Sequence, residues 1–204
     1  MSTRTHTNPD GTTVQVPSSA HIGTGARIGN GAHIGNGAHI GNGAHIGTDA
    51  HLGNGAHIGT AARIGSDAHI ETGARIESYA RIESDAHIGT DAHIGTDARI
   101  GTDARIGSDA RIRKAAEVAC VERVGTVRTM CLYRTEVGGT EGWTITAGCR
   151  TFHAVTVAEV CRLVKANVAV GPEEWDDYPA SDRERWAKQV RAGLKFLAAS
   201  VVAS

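Results

Sequence analysis

Residues 27–52 read RIGNGAHIGNGAHIGNGAHIGTDAHL, and the same six-residue unit continues in both directions with little change. An aliphatic residue recurs at every sixth position from Val16 to Val124, and Ala stands two positions before it from Ala20 to Ala116. A period of six does not match the helical repeat of about 3.6 residues. It fits short strands joined by tight corners, in which Ala and the aliphatic residue both point inward.

The corners of this pattern hold Gly, Asn and Asp, the residues that best tolerate the positive φ of a sharp turn. The repeat resembles that of the left-handed parallel β-helix, as found in hexapeptide-repeat acyltransferases and gamma-class carbonic anhydrases. The resemblance implies three hexads per triangular coil, so residues 18 apart stack on neighbouring coils. It therefore predicts a mainly β fold with about six coils over residues 14–125, and a homotrimer of parallel prisms.

The overall composition excludes several classes of protein. The chain has 21 Lys and Arg against 22 Asp and Glu, a formal charge of −1, which argues against a strongly basic nucleic-acid binder. No apolar run approaches the ~18 residues of a membrane span. The four Cys lack the close spacing of a zinc finger or a disulfide framework, which favours a reducing cytoplasm of a bacterium or an infected host cell.

Stacking by 18 residues converts the outward positions into three columns of His and Arg. The first face carries His21, His39, His57, Arg75, His93 and Arg111. The second carries Arg27, His45, Arg63, Arg81 and Arg99, followed by Glu117. The third carries His33, His51, His69, His87, Arg105 and Arg123. Because stacked imidazoles disfavour one another's charged form, we expect stability to fall between about pH 7 and pH 5.

The corner before the third face adds an acidic ladder, which pairs with the histidines of that face. The strip consists of Asp49, His51, Asp67, His69, Asp85 and His87. Imidazole and carboxylate are ligands for divalent Zn, Ni or Cu, so one interpretation is a metal strip that needs no other cofactor. The other interpretation is a solvated charge ladder, in which His and Arg relieve the repulsion between stacked Asp residues.

One coil is exceptional, because Glu replaces Gly after the aliphatic residue at three successive hexads. We expect Glu71, Glu77 and Glu83 to form local ion pairs with the basic residue two positions earlier, namely His69, Arg75 and Arg81 respectively. Tyr79 replaces a corner Gly or Asp in the same coil.

The two ends of the chain depart from the repeat. Residues 1–13 are expected to be flexible, and residues 126–204 to form an α+β domain that caps the solenoid or docks a protein partner. That domain is predicted as a β-hairpin, with strands at 127–135 and 143–149, followed by two helices. Thr156 and Glu159 form a capping box for the first helix, and the second is predicted over 181–201. Residues 142–152, GWTITAGCRTF, resemble a short tail found in bacteriophage and prophage hexapeptide-repeat proteins.

The sequence leaves two functions open. The first is a non-catalytic structural or binding scaffold, favoured because no inserted loop interrupts the hexads and enzymes resembling this repeat build active sites from such loops. The alternative is an enzyme, either an acyltransferase with a histidine base or a metal-dependent hydrolyase like the carbonic anhydrases. For an enzyme the best candidate residues are His51, His69 and His87 with Asp67 and Asp85.

Overall fold

The computed structural model describes residues 2–114, 117–124, 127–137, 140–147 and 150–170, with residues 192, 195, 198 and 199. Sixteen short strands wind into a solenoid with three parallel sheets of six, five and five strands, one sheet per face. The predicted mainly β solenoid is therefore confirmed, with five full coils and one further strand.

The strands of the three faces follow one another in strict rotation. The first face holds β3 (His21–Ile22), β6 (His39–Ile40), β9 (His57–Ile58), β12 (Arg75–Ile76), β15 (His93–Thr96) and β18 (Arg111–Lys114). The second holds β4 (Arg27–Ile28), β7 (His45–Ile46), β10 (Arg63–Ile64), β13 (Arg81–Ile82) and β16 (Arg99–Ile100). The third holds β5 (His33–Ile34), β8 (His51–Leu52), β11 (His69–Ile70), β14 (His87–Ile88) and β17 (Arg105–Ile106).

The solenoid core is a stack of Ala and Ile side chains. Ala50 and Leu52 are buried in one coil, as Ala68 and Ile70 are in the next, and the pattern extends over the whole solenoid. At each corner the residue before the inward Ala has a positive φ, which is 65° at Gly43 and 57° at Asp67. Only Gly, Asn and Asp adopt this conformation readily, so corner composition and core composition together produce the coil.

The N-terminal residues form a β-hairpin, where a flexible segment was expected. Strand β1 (Thr3–Thr7) pairs antiparallel with β2 (Thr13–Pro17), and Val16 of β2 is fully buried at the end of the solenoid core. The hairpin covers main-chain groups of the first coil that no preceding coil can bind. Arg4 donates to the carbonyl of Ala20 at 3.0 Å. The buried Asn8 amide both donates to the Ile28 carbonyl and accepts from the Ile28 N–H, each at 2.9 Å.

A four-stranded antiparallel sheet follows the solenoid, in place of the expected hairpin. Its strands in order are β19 (Val118–Val124), β20 (Val127–Val137), β21 (Thr140–Ala147) and β22 (Arg150–Ala154). The sheet covers the last coil: Thr146 donates to the Arg105 carbonyl at 2.6 Å, and the Tyr133 hydroxyl accepts from the Gly107 N–H at 3.0 Å. These contacts join the sheet to the last coil, and the capping or docking role of residues 126–204 stays a prediction.

A helix, α1 (Val157–Val170), packs against this sheet. The Thr156 hydroxyl accepts from the Glu159 N–H at 3.2 Å, which confirms the predicted start of the helix. Val160, Cys161 and Val164 are buried at helical spacing, as the sequence indicates. Of the second predicted helix, Ala192, Lys195, Ala198 and Ala199 are described and all four are helical, and its other residues lie outside the described part of the chain.

The expectation that all four Cys are reduced is wrong for two of them. Cys120 and Cys131 stand opposite each other in the antiparallel register of β19 and β20, and they form a disulfide. The pairing was missed because the register of this sheet, and not sequence spacing, brings them together. Since disulfides are rare in a reducing cytosol, the cysteine argument for a cytoplasmic location does not hold.

We expect Asn8→Ala to destabilise the protein by about 1–3 kcal/mol, because it leaves the N–H and C=O of Ile28 without partners at a buried site. Urea unfolding followed by circular dichroism measures this change. Gln15→Ala is the control, since Gln15 makes an exposed side-chain bond to Thr5 in the same hairpin. Equal midpoints for Asn8→Ala and the wild type would contradict the capping role.

We expect reduction of the Cys120–Cys131 disulfide to lower the free energy of unfolding by roughly 3 kcal/mol, because the bond closes a loop between residues separated by 11 positions. Urea unfolding with and without dithiothreitol tests this value. Cys161→Ser keeps the disulfide and should retain the sensitivity to reductant. Two alkylated thiols at positions 120 and 131 in native, unreduced protein would show that the bond is absent.

Candidate functional site

The outward columns predicted from the 18-residue stacking are present in the structure. His21 is paired in register with His39, Arg63 with Arg81, and His69 with His87. The strands of each face are parallel, so every outward side chain lies directly above the equivalent residue of the next coil. The three faces are therefore three vertical rows of imidazole and guanidinium groups.

The histidines of the first and third faces stack as parallel rings. On the first face the ring centroids of His39 lie 4.5 Å from those of both His21 and His57. On the third face the separations are 4.6 Å from His33 to His51, 4.7 Å from His51 to His69 and 6.0 Å from His69 to His87.

The structure places the Asp and His residues of the predicted strip in two adjacent columns. The turn conformation of the Asp residues and the contacts of the His rings with main-chain carbonyls give both residue types a structural role. Asp49, Asp67 and Asp85 all have φ values between 55° and 59°, so each occupies the turn position that Gly fills in other coils. The Nδ1 atom of His51 lies 3.1 Å from the Asp49 carbonyl, and that of His69 lies 3.0 Å from the Asp67 carbonyl. Since a carbonyl oxygen only accepts, each Nδ1 is the protonated nitrogen.

No group of three or more His, Cys, Asp or Glu side chains within the described residues is arranged to hold a metal ion. The strip therefore does not supply the three protein ligands of a catalytic zinc centre. Binding of Zn, Ni or Cu by fewer ligands along the strip stays a prediction.

The Glu residues of the exceptional coil pair differently from the expectation. Glu77 accepts from His93 of the next coil, with 2.9 Å between Oε1 and Nε2, and Glu71 lies 3.4 Å from Nε2 of His87. The predicted ion pairs within one hexad are therefore wrong for Glu71 and Glu77, which pair with histidines of the next coil. The reason is geometric: a residue two positions after the column lies diagonally across from the next column member, within reach of a long side chain.

The pair of His93 and Glu77 has the arrangement of an oriented general base. About two fifths of the His93 side chain and nearly half of the Glu77 side chain are exposed, so the imidazole is held by a carboxylate and still reachable from solvent. His87 was among the predicted candidates, but His93 was missed. The sequence does contain a signal for His93. Stacking by 18 residues places His93 next to Arg75 of the preceding coil, and Glu77 follows Arg75 by two positions.

His57 is the histidine whose titration differs most clearly from that of an exposed imidazole. Its pKa lies below the ordinary value, first because burial disfavours the charged ring and then because His39 and Arg75 add positive charge nearby. Glu77 opposes this shift more weakly.

Comparison with solved structures finds left-handed solenoids of acyltransferases at low similarity. The acetyltransferase domain of PglB from Neisseria gonorrhoeae is 22% identical, with a TM-score of 0.42 over 49% of this chain and 46% of that one. A hexapeptide-repeat acetyltransferase from Vibrio cholerae, complexed with acetyl coenzyme A, is 13% identical, with a TM-score of 0.41 over 45% and 61%. This chain thus spans about half of each of these proteins.

A longer but more distant match is UDP-N-acetylglucosamine O-acyltransferase from Moraxella catarrhalis. It is 13% identical, with a TM-score of 0.33 over 93% of this chain and 95% of that one. No curated protein sequence matches the chain. No helix among the described residues is both long and apolar enough to cross a bilayer.

We expect the melting temperature to fall when the pH is lowered from 7.5 to 5.5. The pKa of His57 is lowered on folding, so the unfolded chain binds the proton more readily, and stability falls as the pH drops through the ordinary value of 6.5. The pKa values of the Asp10 and Glu141 carboxyl groups are also lowered. The stability that these two groups contribute is therefore lost in a separate pH range, below their ordinary pKa values of 3.8 and 4.5. Differential scanning fluorimetry tests the trend, and His57→Gln should flatten it. An identical slope in His57→Gln would contradict the assignment.

A protein-family model matches one part of the solenoid. The family described as bacterial transferase hexapeptide (six repeats) matches residues 79–114, the segment that includes His87 and His93. The prediction of a non-catalytic scaffold is corrected by this family match, which is to bacterial transferases. The likeness of residues 142–152 to bacteriophage proteins finds no support in the comparisons. The parallel coils of residues 21–114 form the three-sided solenoid that the repeat predicts, and residues 79–114 of it match the hexapeptide-repeat family model.

Proposed function

We propose that the protein is a hexapeptide-repeat acyltransferase in which His93 acts as the general base and Glu77 orients it. The observation that carries the proposal is the 2.9 Å contact between His93 Nε2 and Glu77 Oε1, within and beside the segment that matches the bacterial transferase hexapeptide family. In the described residues, His87 with Glu71 is the other imidazole–carboxylate pair on the solenoid, and its atoms are further apart.

The chemistry assigned to this pair is proton transfer during acyl transfer. The Glu77 carboxylate accepts a hydrogen bond from the Nε2–H group of His93, so Nδ1 is the unprotonated ring nitrogen and has a free lone pair. Nδ1 removes the proton from an acceptor hydroxyl or amine as its oxygen or nitrogen bonds to the carbonyl carbon of an acyl thioester. The carbon–sulfur bond then breaks, and the proton passes from His93 to the departing thiolate.

The shape of the site supports an oligomeric enzyme. The face around His93 is a flat parallel sheet, and residues 21–114 contain no inserted loop that could enclose a substrate. A second subunit packed against this face would supply the missing wall. We therefore propose that the working unit is a homo-oligomer, with a trimer as the specific expectation.

We expect His93→Ala to lower the rate of acyl transfer about 100-fold or more, because general base catalysis contributes on the order of 10²–10⁴. The assay measures thiol release from acetyl coenzyme A with a panel of amino and hydroxyl acceptors. Glu77→Gln should keep partial activity and shift the acidic limb of the pH–rate profile. His39→Ala is the control, since His39 stacks in the same column and has no carboxylate partner among the described residues.

Equal rates for His93→Ala and His39→Ala would reject His93 as the base. If His87→Ala alone abolished transfer, the role would belong to His87 and Glu71 on the third face. Absence of transfer to every acceptor in the panel, at any protein concentration, would count against the acyltransferase assignment itself.

A further inference from the structure

The second face carries a continuous column of basic side chains. Arg27, His45, Arg63, Arg81 and Arg99 are stacked in register through consecutive parallel strand pairs. Arg63, Arg81 and Arg99 are exposed, and none of the three forms an ion pair with a described residue. Three guanidinium groups on successive coils are therefore exposed to solvent without an acidic partner among the described residues.

The corner between the second and third faces carries the complementary charge. Asp49, Asp67, Asp85 and Asp103 occupy it on four successive coils, all with positive φ. The turn explains why Asp is tolerated there, but it does not require an acid. The equivalent corner between the first and second faces has the same conformation and holds Gly25, Gly43, Ala61, Tyr79 and Asp97. The acidic ladder is thus a property of one corner.

The two columns match coil by coil. Each acid of the ladder lies in the same coil as one base of the second face, in the pairs His45 and Asp49, Arg63 and Asp67, Arg81 and Asp85, and Arg99 and Asp103. Both columns repeat every 18 residues, so their spacing along the solenoid is identical. No ion pair joins Arg63 to Asp67 or Arg81 to Asp85 within the chain.

Rotation about an axis parallel to the solenoid keeps every residue at its original height. A neighbouring copy related by such a rotation therefore presents its Asp ladder level with the basic column of this copy. We propose that the second face is an interface between copies of this chain, in which the basic column of one subunit pairs with the Asp ladder of the next. This inference concerns assembly and stands independently of the acyl-transfer reaction.

A second copy fits this surface better than an extended polyanion does. Residues 21–123 contain 10 Lys and Arg against 12 Asp and Glu, a net charge of −2, so the solenoid has no overall attraction for anionic chains. A polyanion laid along the basic column would also run beside the Asp ladder of the adjoining corner and be repelled by it. A copy of the chain satisfies both columns at once.

The first part of the test removes charge from either column. Arg63→Gln with Arg81→Gln, or Asp67→Asn with Asp85→Asn, should raise the concentration at which the oligomer half-dissociates by about 10-fold or more, measured by sedimentation velocity at 50 mM salt. Asn tolerates positive φ, so the second change leaves the turn intact. High salt should mimic both changes in the wild type, because ionic screening weakens exposed ion pairs.

Matched controls change the same charges elsewhere on the solenoid. Asp91→Asn with Asp109→Asn alters the same turn position on the corner between the third and first faces, where both residues have positive φ. Arg105→Gln removes a guanidinium group from the third face. Both controls should assemble like the wild type. Melting curves for every variant separate loss of assembly from loss of folding.

The decisive variant combines both neutralisations in one chain: Arg63→Gln, Arg81→Gln, Asp67→Asn and Asp85→Asn. Because either pair of changes alone already removes the attraction between the columns, the combined variant should dissociate no more readily than either parent variant. Additive effects in the combined variant, or equal dissociation of the controls, would overturn the proposal. So would a wild type that stays monomeric at 50 mM salt, or one that binds polyphosphate through Arg63 and Arg81 instead of itself.

Discussion

Main-chain hydrogen bonds between successive coils hold the solenoid together, and the other features of the molecule depend on their constant spacing. The His51 N–H donates to the Ala68 carbonyl at 2.8 Å, and the His69 N–H donates to the Ala86 carbonyl at the same distance. The bonds recur because each coil contains the same number of residues, with inward Ala and Ile and a corner of positive φ.

The same hydrogen bonding creates two open edges, and the chain closes each by a different route. Asn8 binds both polar main-chain groups of Ile28 on the first coil, and Thr146 and Tyr133 bind main-chain groups of the last coil. Unpaired strand edges are sites of uncontrolled association, so closed ends direct association to the faces. The side faces are consequently where the structure supports both catalysis and assembly.

The candidate base arises from a small departure from the repeat. Glu replaces Gly in one coil, and stacking brings Glu77 beside His93, where it selects one imidazole from a column of similar groups. The histidines His21, His39 and His57 have ring neighbours instead, and the pKa of His57 is lowered first by burial and then by the positive charges of His39 and Arg75. Near-identical repeats thus produce imidazoles of different chemical character, according to the side chains one coil away.

The sequence by itself determined the coils, the three columns and the start of α1 at Thr156, because these depend on a constant period and on local capping. The tertiary structure decided the Cys120–Cys131 disulfide, the N-terminal hairpin and the pairing of Glu77 with His93. The first two depend on the register of antiparallel strands, which no period in the sequence specifies. The third depends on whether the Glu77 side chain pairs with Arg75 in its own hexad or with His93 in the next coil. The stacking of the coils, and not the order of residues along the chain, places His93 within reach.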